Sequence, residues 1–113
     1  MSLKASIREI GDVTVIDLDG RITLGDGSAL LRGIIRENFD KGHRKLVLNL
    51  AGISYLDSTG LGELVSGYRV VKNQGGELKL LNLNKKVTDL LQVTKLYTIF
   101  DIHNDETQAV ASF

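Results

Sequence analysis

Hydrophobic and polar residues alternate at the start of the chain, with Leu3, Ala5 and Ile7 set against Lys4, Ser6 and Arg8. A period of two predicts a half-exposed strand. Gly11-Asp12 predicts a glycine-first hairpin turn, and Val13 to Leu18 the returning strand. Leu30, Leu31, Ile34, Ile35 and Phe39 then recur at helical spacing, while Arg32, Arg36, Glu37 and Lys41 take the other face. Glu37 and Lys41 have the favoured i,i+4 orientation, and Gly42 marks the stop. Leu46 to Leu50 is a short, strongly apolar run, the pattern of a central strand covered on its faces.

A second helix fits Leu61, Leu64, Val65, Tyr68 and Val71 and ends before Gly75-Gly76. Leu78 to Leu83 predicts another strand, and Val87, Leu90 and Leu91 a short helix. Ile99 to Ile102 predicts a last, weaker strand, and Asp105 to Phe113 a terminal helix docked by Val110 and Phe113. From the second strand onward, strand and helix alternate, which predicts a mainly parallel sheet with right-handed crossovers. The fold class expected is α/β: a mostly parallel sheet of about four or five strands, an N-terminal β-hairpin and about four helices. No repeat or linker interrupts the chain, so residues 1–113 are expected to form one domain.

Composition narrows the function. The 14 basic and 14 acidic residues cancel. They are also well mixed, with eight basic and seven acidic residues through Leu56 and six and seven after it. Without a basic stripe, direct nucleic-acid binding is not expected. The absence of cysteine removes disulfides, thiol nucleophiles and thiolate metal sites. His43 and His103 alone supply too few imidazoles for a zinc or iron site, and no cofactor is implied. No apolar run approaches the roughly 20 residues of a membrane span, and the N-terminus has no apolar leader. A cytoplasmic protein without membrane insertion is the expectation.

The candidate chemistry lies at Asp57-Ser58-Thr59-Gly60-Leu61-Gly62, between the central strand and the second helix. Loops at the carboxyl ends of strands are where open parallel sheets usually place function. Two glycines in a first helical turn are each roughly 1 kcal/mol worse than alanine, so this helix starts on poor material. What the glycines supply is bare backbone that another surface can approach. Ser58 would sit near the positive end of a helix dipole, where a phosphate is tolerated. Asp, Ser and Thr are also ordinary N-caps, so capping and modification both remain open for Ser58.

Enzyme readings are weaker. A nucleophile elbow needs Gly-x-Ser-x-Gly, but Leu56 stands two residues before Ser58. Gly25-Asp26-Gly27 and Gly60-Leu61-Gly62 lack the third glycine of a dinucleotide fingerprint, and there is no phosphate-binding loop of the Walker type. A phosphoacceptor aspartate would draw on Asp57 with Asp17 and Asp19 around Mg²⁺. Leu18 splits that acidic pair, and several residues are expected to separate the central strand's end from Asp57.

Val47 to Gly62, reading VLNLAGISYLDSTGLG, closely resembles the STAS domain family, the bacterial anti-sigma factor antagonists or anti-anti-sigma factors. The likeness extends from the opening strand pair through Gly75-Gly76-Glu77-Leu78 and the Asn82 to Leu96 segment. The resemblance implies a phosphoprotein acting by partner switching in transcription regulation. Its unphosphorylated form would bind an anti-sigma factor, often a serine kinase, and release a sigma factor. Phosphorylation would end that contact and a serine phosphatase would restore it. By position the acceptor is Ser58, with Thr59 the adjacent alternative. Partner contacts are expected from Asp57, Ser58, Thr59, Gly60, Leu61 and Gly62, with Asp57 orienting the loop and the glycines permitting close approach. Leu61 also belongs to a helical apolar stripe. The Ile22 to Ser28 run departs from the family pattern; it is expected at the same end of the sheet as Ser58 and as part of the docking surface, where Asp26 replaces a missing acidic contact unless Asp26 or Ser28 merely caps the first helix. Two other roles follow from the same resemblance: a subunit of a lipid or anion transporter that binds its ATPase, and a weak nucleotide-binding protein.

Overall fold

The computed structural model describes residues 3–113. Five strands lie in chain order across one sheet, β1 (Leu3–Ile10), β2 (Val13–Ile22), β3 (Lys45–Leu56), β4 (Glu77–Leu81) and β5 (Asp101–His103). β1 and β2 are antiparallel and every later pair is parallel, as the alternation of patterns predicts. The hairpin closes with Ile10 opposite Val13, and Gly11 takes the positive φ of 62° that the turn demands.

The helices are α1 (Asp26–Asp40), α2 (Ser58–Asn73), α3 (Lys85–Val93) and α4 (Glu106–Ala111). Apolar residues of α1, α2 and α3 pack with Ile16, Leu18, Leu46 and Leu48 on one face of the sheet. α4 covers the other face, where Ala109 is fully buried against Val13, Val15, Val47 and Leu81. Val110 and Phe113 pack at its margin. Arg8 anchors the same helix from the hairpin, donating to Asp17 at 2.5 Å and to Glu106 at 2.6 Å.

Two strands run further than the apolar pattern indicates. β2 continues past Leu18 to Ile22, and β3 past Leu50 to Leu56, so no gap separates the central strand from Asp57. The extensions pair with each other through Gly20–Ile53, Arg21–Tyr55 and Ile22–Leu56, with register shifts after Asp17 and Gly20. Gly52 makes room for one shift, since a Cβ there would stand 2.8 Å from the Leu18 carbonyl oxygen. Near the far edge, β4 stops at Leu81 because Asn82 turns into the left-handed region at φ 61°. A 3-10 turn at Leu96–Thr98 delays β5 to Asp101–His103. Phe100 instead packs inward, edge-on to Tyr68 at 5.3 Å between ring centroids.

Candidate functional site

The extended ends of β2 and β3 form the platform. Beyond the last pair, Ile22–Leu56, the Asp57 backbone N–H donates to the Ile22 carbonyl at 3.2 Å. The chain then enters α2, and Asp57 is its N-cap in extended conformation. One carboxylate oxygen accepts from the Gly60 N–H at 2.7 Å and the other from the Leu24 N–H at 3.0 Å. A single side chain therefore ties the α2 entry to the β2–α1 loop. These backbone donors, Gly60 first and Leu24 second, hold the Asp57 carboxyl below its ordinary range.

With Asp57 capping, Ser58 has no capping task. It is the first helical residue and is exposed. Thr59 is only half exposed. The Ser58 hydroxyl thus sits at the positive end of a helix of 16 residues.

The two glycines divide. Gly60 is buried, and a Cβ there would stand 2.2 Å from the Ile22 carbonyl oxygen and 2.7 Å from Leu56 Cδ1. Its bare backbone serves the docking of α2 on β2, which corrects the expectation that a partner approaches over it. Leu61, 5% exposed, belongs to the core and is likewise no surface contact. Gly62 is exposed, with open space where a Cβ would lie.

The Ile22 to Ser28 run does lie at the same end of the sheet, as its bond to Asp57 requires. Neither capping assignment there holds. Gly25, at φ 98°, is the N-cap of α1 and makes no side-chain bond. Ser28 is buried and donates its hydroxyl to the Thr23 carbonyl at 2.8 Å, while Asp26 stands exposed in the first turn. Leu24, 76% exposed in that loop, and Tyr55, 43% exposed, flank the site, and nothing in the sequence analysis points to Tyr55. Arg21 lies over the Tyr55 ring at 5.4 Å. The available signal was Leu24 itself, an isolated large apolar residue in a loop of Thr, Gly and Asp.

Asp17 sits well before the strand ends, opposite Asn49, and its carboxylate accepts from Arg8 and from Asn49 at 2.7 Å. Among the described residues no three His, Asp or Glu side chains could together hold a metal ion. Ser112, His103 and Asp101 converge, but the Ser112 hydroxyl at 3.4 Å and the Asp101 carboxylate at 3.1 Å meet the same ring nitrogen, Nε2. A proton relay needs one partner on each nitrogen. No helix among the described residues is long and apolar enough to cross a membrane.

A curated relative, the anti-sigma-B factor antagonist of Bacillus subtilis, is 49% identical over 53 residues, covering 47% of this chain and 49% of that protein. The chain thus spans about half the length of such curated relatives. An anti-sigma factor antagonist from Mycobacterium paratuberculosis superimposes with a TM-score of 0.86 at 17% identity, over 97% of this chain and 92% of that one. The Bacillus cell fate determinant SpoIIAA in its phosphorylated form gives 0.73 at 20% identity, over 96% and 97%. These two show the common fold. The STAS domain model matches residues 4–109, and the chain belongs to the STAS domain family.

Proposed function

We propose that this chain is an anti-sigma factor antagonist, a regulator without catalytic activity of its own, acting in the cytoplasm. Its unphosphorylated form binds an anti-sigma factor that is also a serine kinase, and so frees a sigma factor. Phosphorylation of Ser58 breaks the contact and a serine phosphatase restores it. The observation that carries this reading is the division of labour at the α2 entry. Asp57 caps the helix, which leaves Ser58 exposed and its hydroxyl free for transfer. Thr59, half-buried behind it, is the poorer acceptor.

The charge change suits a switch. A phosphoryl group adds about −1.5 to −2 charge at pH 7. The helix N-terminus stabilises it within the chain, so the fold persists. A partner seated on the same surface meets that charge beside the Asp57 carboxylate. A loss of about 3 kcal/mol weakens binding more than a hundredfold.

Wild type and Ser58→Asp, used as parallel baits in native lysate, test this. A serine kinase held by wild type and lost from Ser58→Asp supports the reading, and Ser58→Ala should bind it constitutively and take no phosphate at this position. Retention of one transporter ATPase by both baits, with no kinase, would sink it. Nucleotide binding by titration calorimetry with no kinase captured would point to the third role instead.

A further inference from the structure

The two edges of the sheet are treated differently. β5 has three residues, too short to template another strand. β1 has eight, in unbroken register with β2, and no strand covers its outer side among the described residues. The usual protections of such an edge are proline, bulges and charged side chains, and of these β1 carries only charges, Lys4, Arg8 and Glu9. The chain contains no proline, and the β1 ladder has no bulge.

That open edge also borders an apolar strip. Ala5 and Ile7 point to the side of the sheet that carries α1, where Ile7 stays 46% exposed and Leu30 of α1 40% exposed. Ala5, Ile7, Leu30 and Ile34 line one shallow groove between β1 and α1, together with the charged Glu9, Glu37 and Lys41.

We propose that this edge is a self-association surface, on which a second copy of the chain pairs its β1 antiparallel to the first. Charge selects the register. A two-fold axis normal to the sheet keeps every side chain on its own face, so the residue at the axis must face itself. With Ser6 at the axis, Ala5 lies opposite Ile7 of the second copy, extending the apolar strip. On the α4 side, Lys4 then lies opposite Arg8. That arginine is already saturated by two carboxylates, Asp17 and Glu106, so the cluster it belongs to carries one net negative charge. The exposed Lys4 ammonium complements this cluster, and the contact occurs twice. Centring on Ala5 would place Lys4 opposite Ser6, and centring on Ile7 would place it opposite Ile10. Both leave its charge without a counterpart.

The absence of cysteine makes the register readable. Under mild oxidation Ser6→Cys should cross-link to a covalent dimer, while Lys4→Cys and Glu9→Cys, facing other residues, should do so at least about tenfold more slowly. In sedimentation equilibrium the wild type should dimerise reversibly and less tightly as salt rises. Ile7→Lys acts twice across the axis and should raise the dissociation constant by about a hundredfold. Because Ile7 is half exposed, its thermal melt should report an intact fold. A wild type that stays monomeric at millimolar concentration overturns the proposal. So does a dimer unaffected by Ile7→Lys, or equal cross-linking at Lys4 and Ser6. Capture of another protein's strand on this edge by a chain that does not self-associate would also overturn it.

Discussion

Two helices enter from the strand ends with the same device and different surroundings. Asp57 caps α2 and Asn84 caps α3, both in extended conformation, and each accepts from the N–H three residues on, at 2.7 and 2.9 Å. Each side chain uses its second atom to hold a neighbouring strand or loop. Asn84 has an amide hydrogen to give and donates to the Ile53 carbonyl at 2.6 Å. Asp57 has a second acceptor and takes the Leu24 N–H. After the cap the two diverge. α3 begins Lys85-Lys86, two cations against the positive end of the helix dipole. α2 begins Ser58-Thr59-Gly60, with no charge and with its third residue pressed against a backbone carbonyl. The cap alone therefore does not make a site. What distinguishes α2 is an exposed hydroxyl at an anion-tolerant helix end whose position is fixed by close backbone packing.

The sharpest way to break that distinction is Gly60→Ala. The added methyl would lie 2.2 Å from the Ile22 carbonyl oxygen, a backbone atom that cannot move alone. Overpacking of this kind typically costs about 3 kcal/mol when the neighbour is rigid. A drop of that size in urea or thermal unfolding is the expected outcome. A near-wild-type variant would mean that α2 can lift from β2, and the packing argument would fail.

The caps can next be exchanged. Asp57→Asn must turn either its amide hydrogens or its one oxygen toward Leu24 N–H and Gly60 N–H, so one donor loses its acceptor. Asn84→Asp places a carboxylate oxygen against the Ile53 carbonyl. Each change should lower the melting temperature by several degrees, whereas Ser58→Ala should leave it nearly unchanged because Ser58 caps nothing. Acid separates the two further. Backbone donors depress the Asp57 pKa in the folded state, so its contribution is present above the unfolded carboxyl value near 3.9 and is lost as pH falls through the lower folded value. Asp17, Asp101 and Glu106 are depressed in the same sense by Arg8 or Lys79. Wild type should thus lose stability below about pH 4, and Asp57→Asn should lose less over the same span. Equal acid sensitivity in both would remove Asp57 from the account.

Much of this was legible in the chain, for identifiable reasons. The helical stripes of α1 and α2 and the alternation of β1 are strong periodic signals, and the VLNLAGISYLDSTGLG segment marks both the family and the site. The ends of β2 and β3 were not. Asp19, Gly20, Gly52 and Ser54 are poor strand formers, and what holds them in the sheet is each other, across a register that a linear pattern does not encode. For the same reason the pattern does not show the role of Gly60, because the carbonyl that excludes a side chain there is 38 residues earlier in sequence, at Ile22. Ala109 is not legible either, because a small side chain gives little hydrophobic signal, although it is the residue that seats α4.

Gly62 offers the smallest effect and the finest discrimination. It lies one turn into α2 on the exposed side, with nothing where a Cβ would be. Alanine at a helical glycine typically gains roughly 0.5–1 kcal/mol, so Gly62→Ala should be slightly more stable than wild type. A residue that weakens its own helix at an open position is explained if something else must come close to it. The anti-sigma partner proposed for this surface would meet the new methyl directly. Stability should then rise while affinity for the captured kinase falls, and the two measurements move in opposite directions. If affinity is unchanged, the partner does not cover Gly62. Its footprint then lies on the Leu24 and Tyr55 side of Ser58.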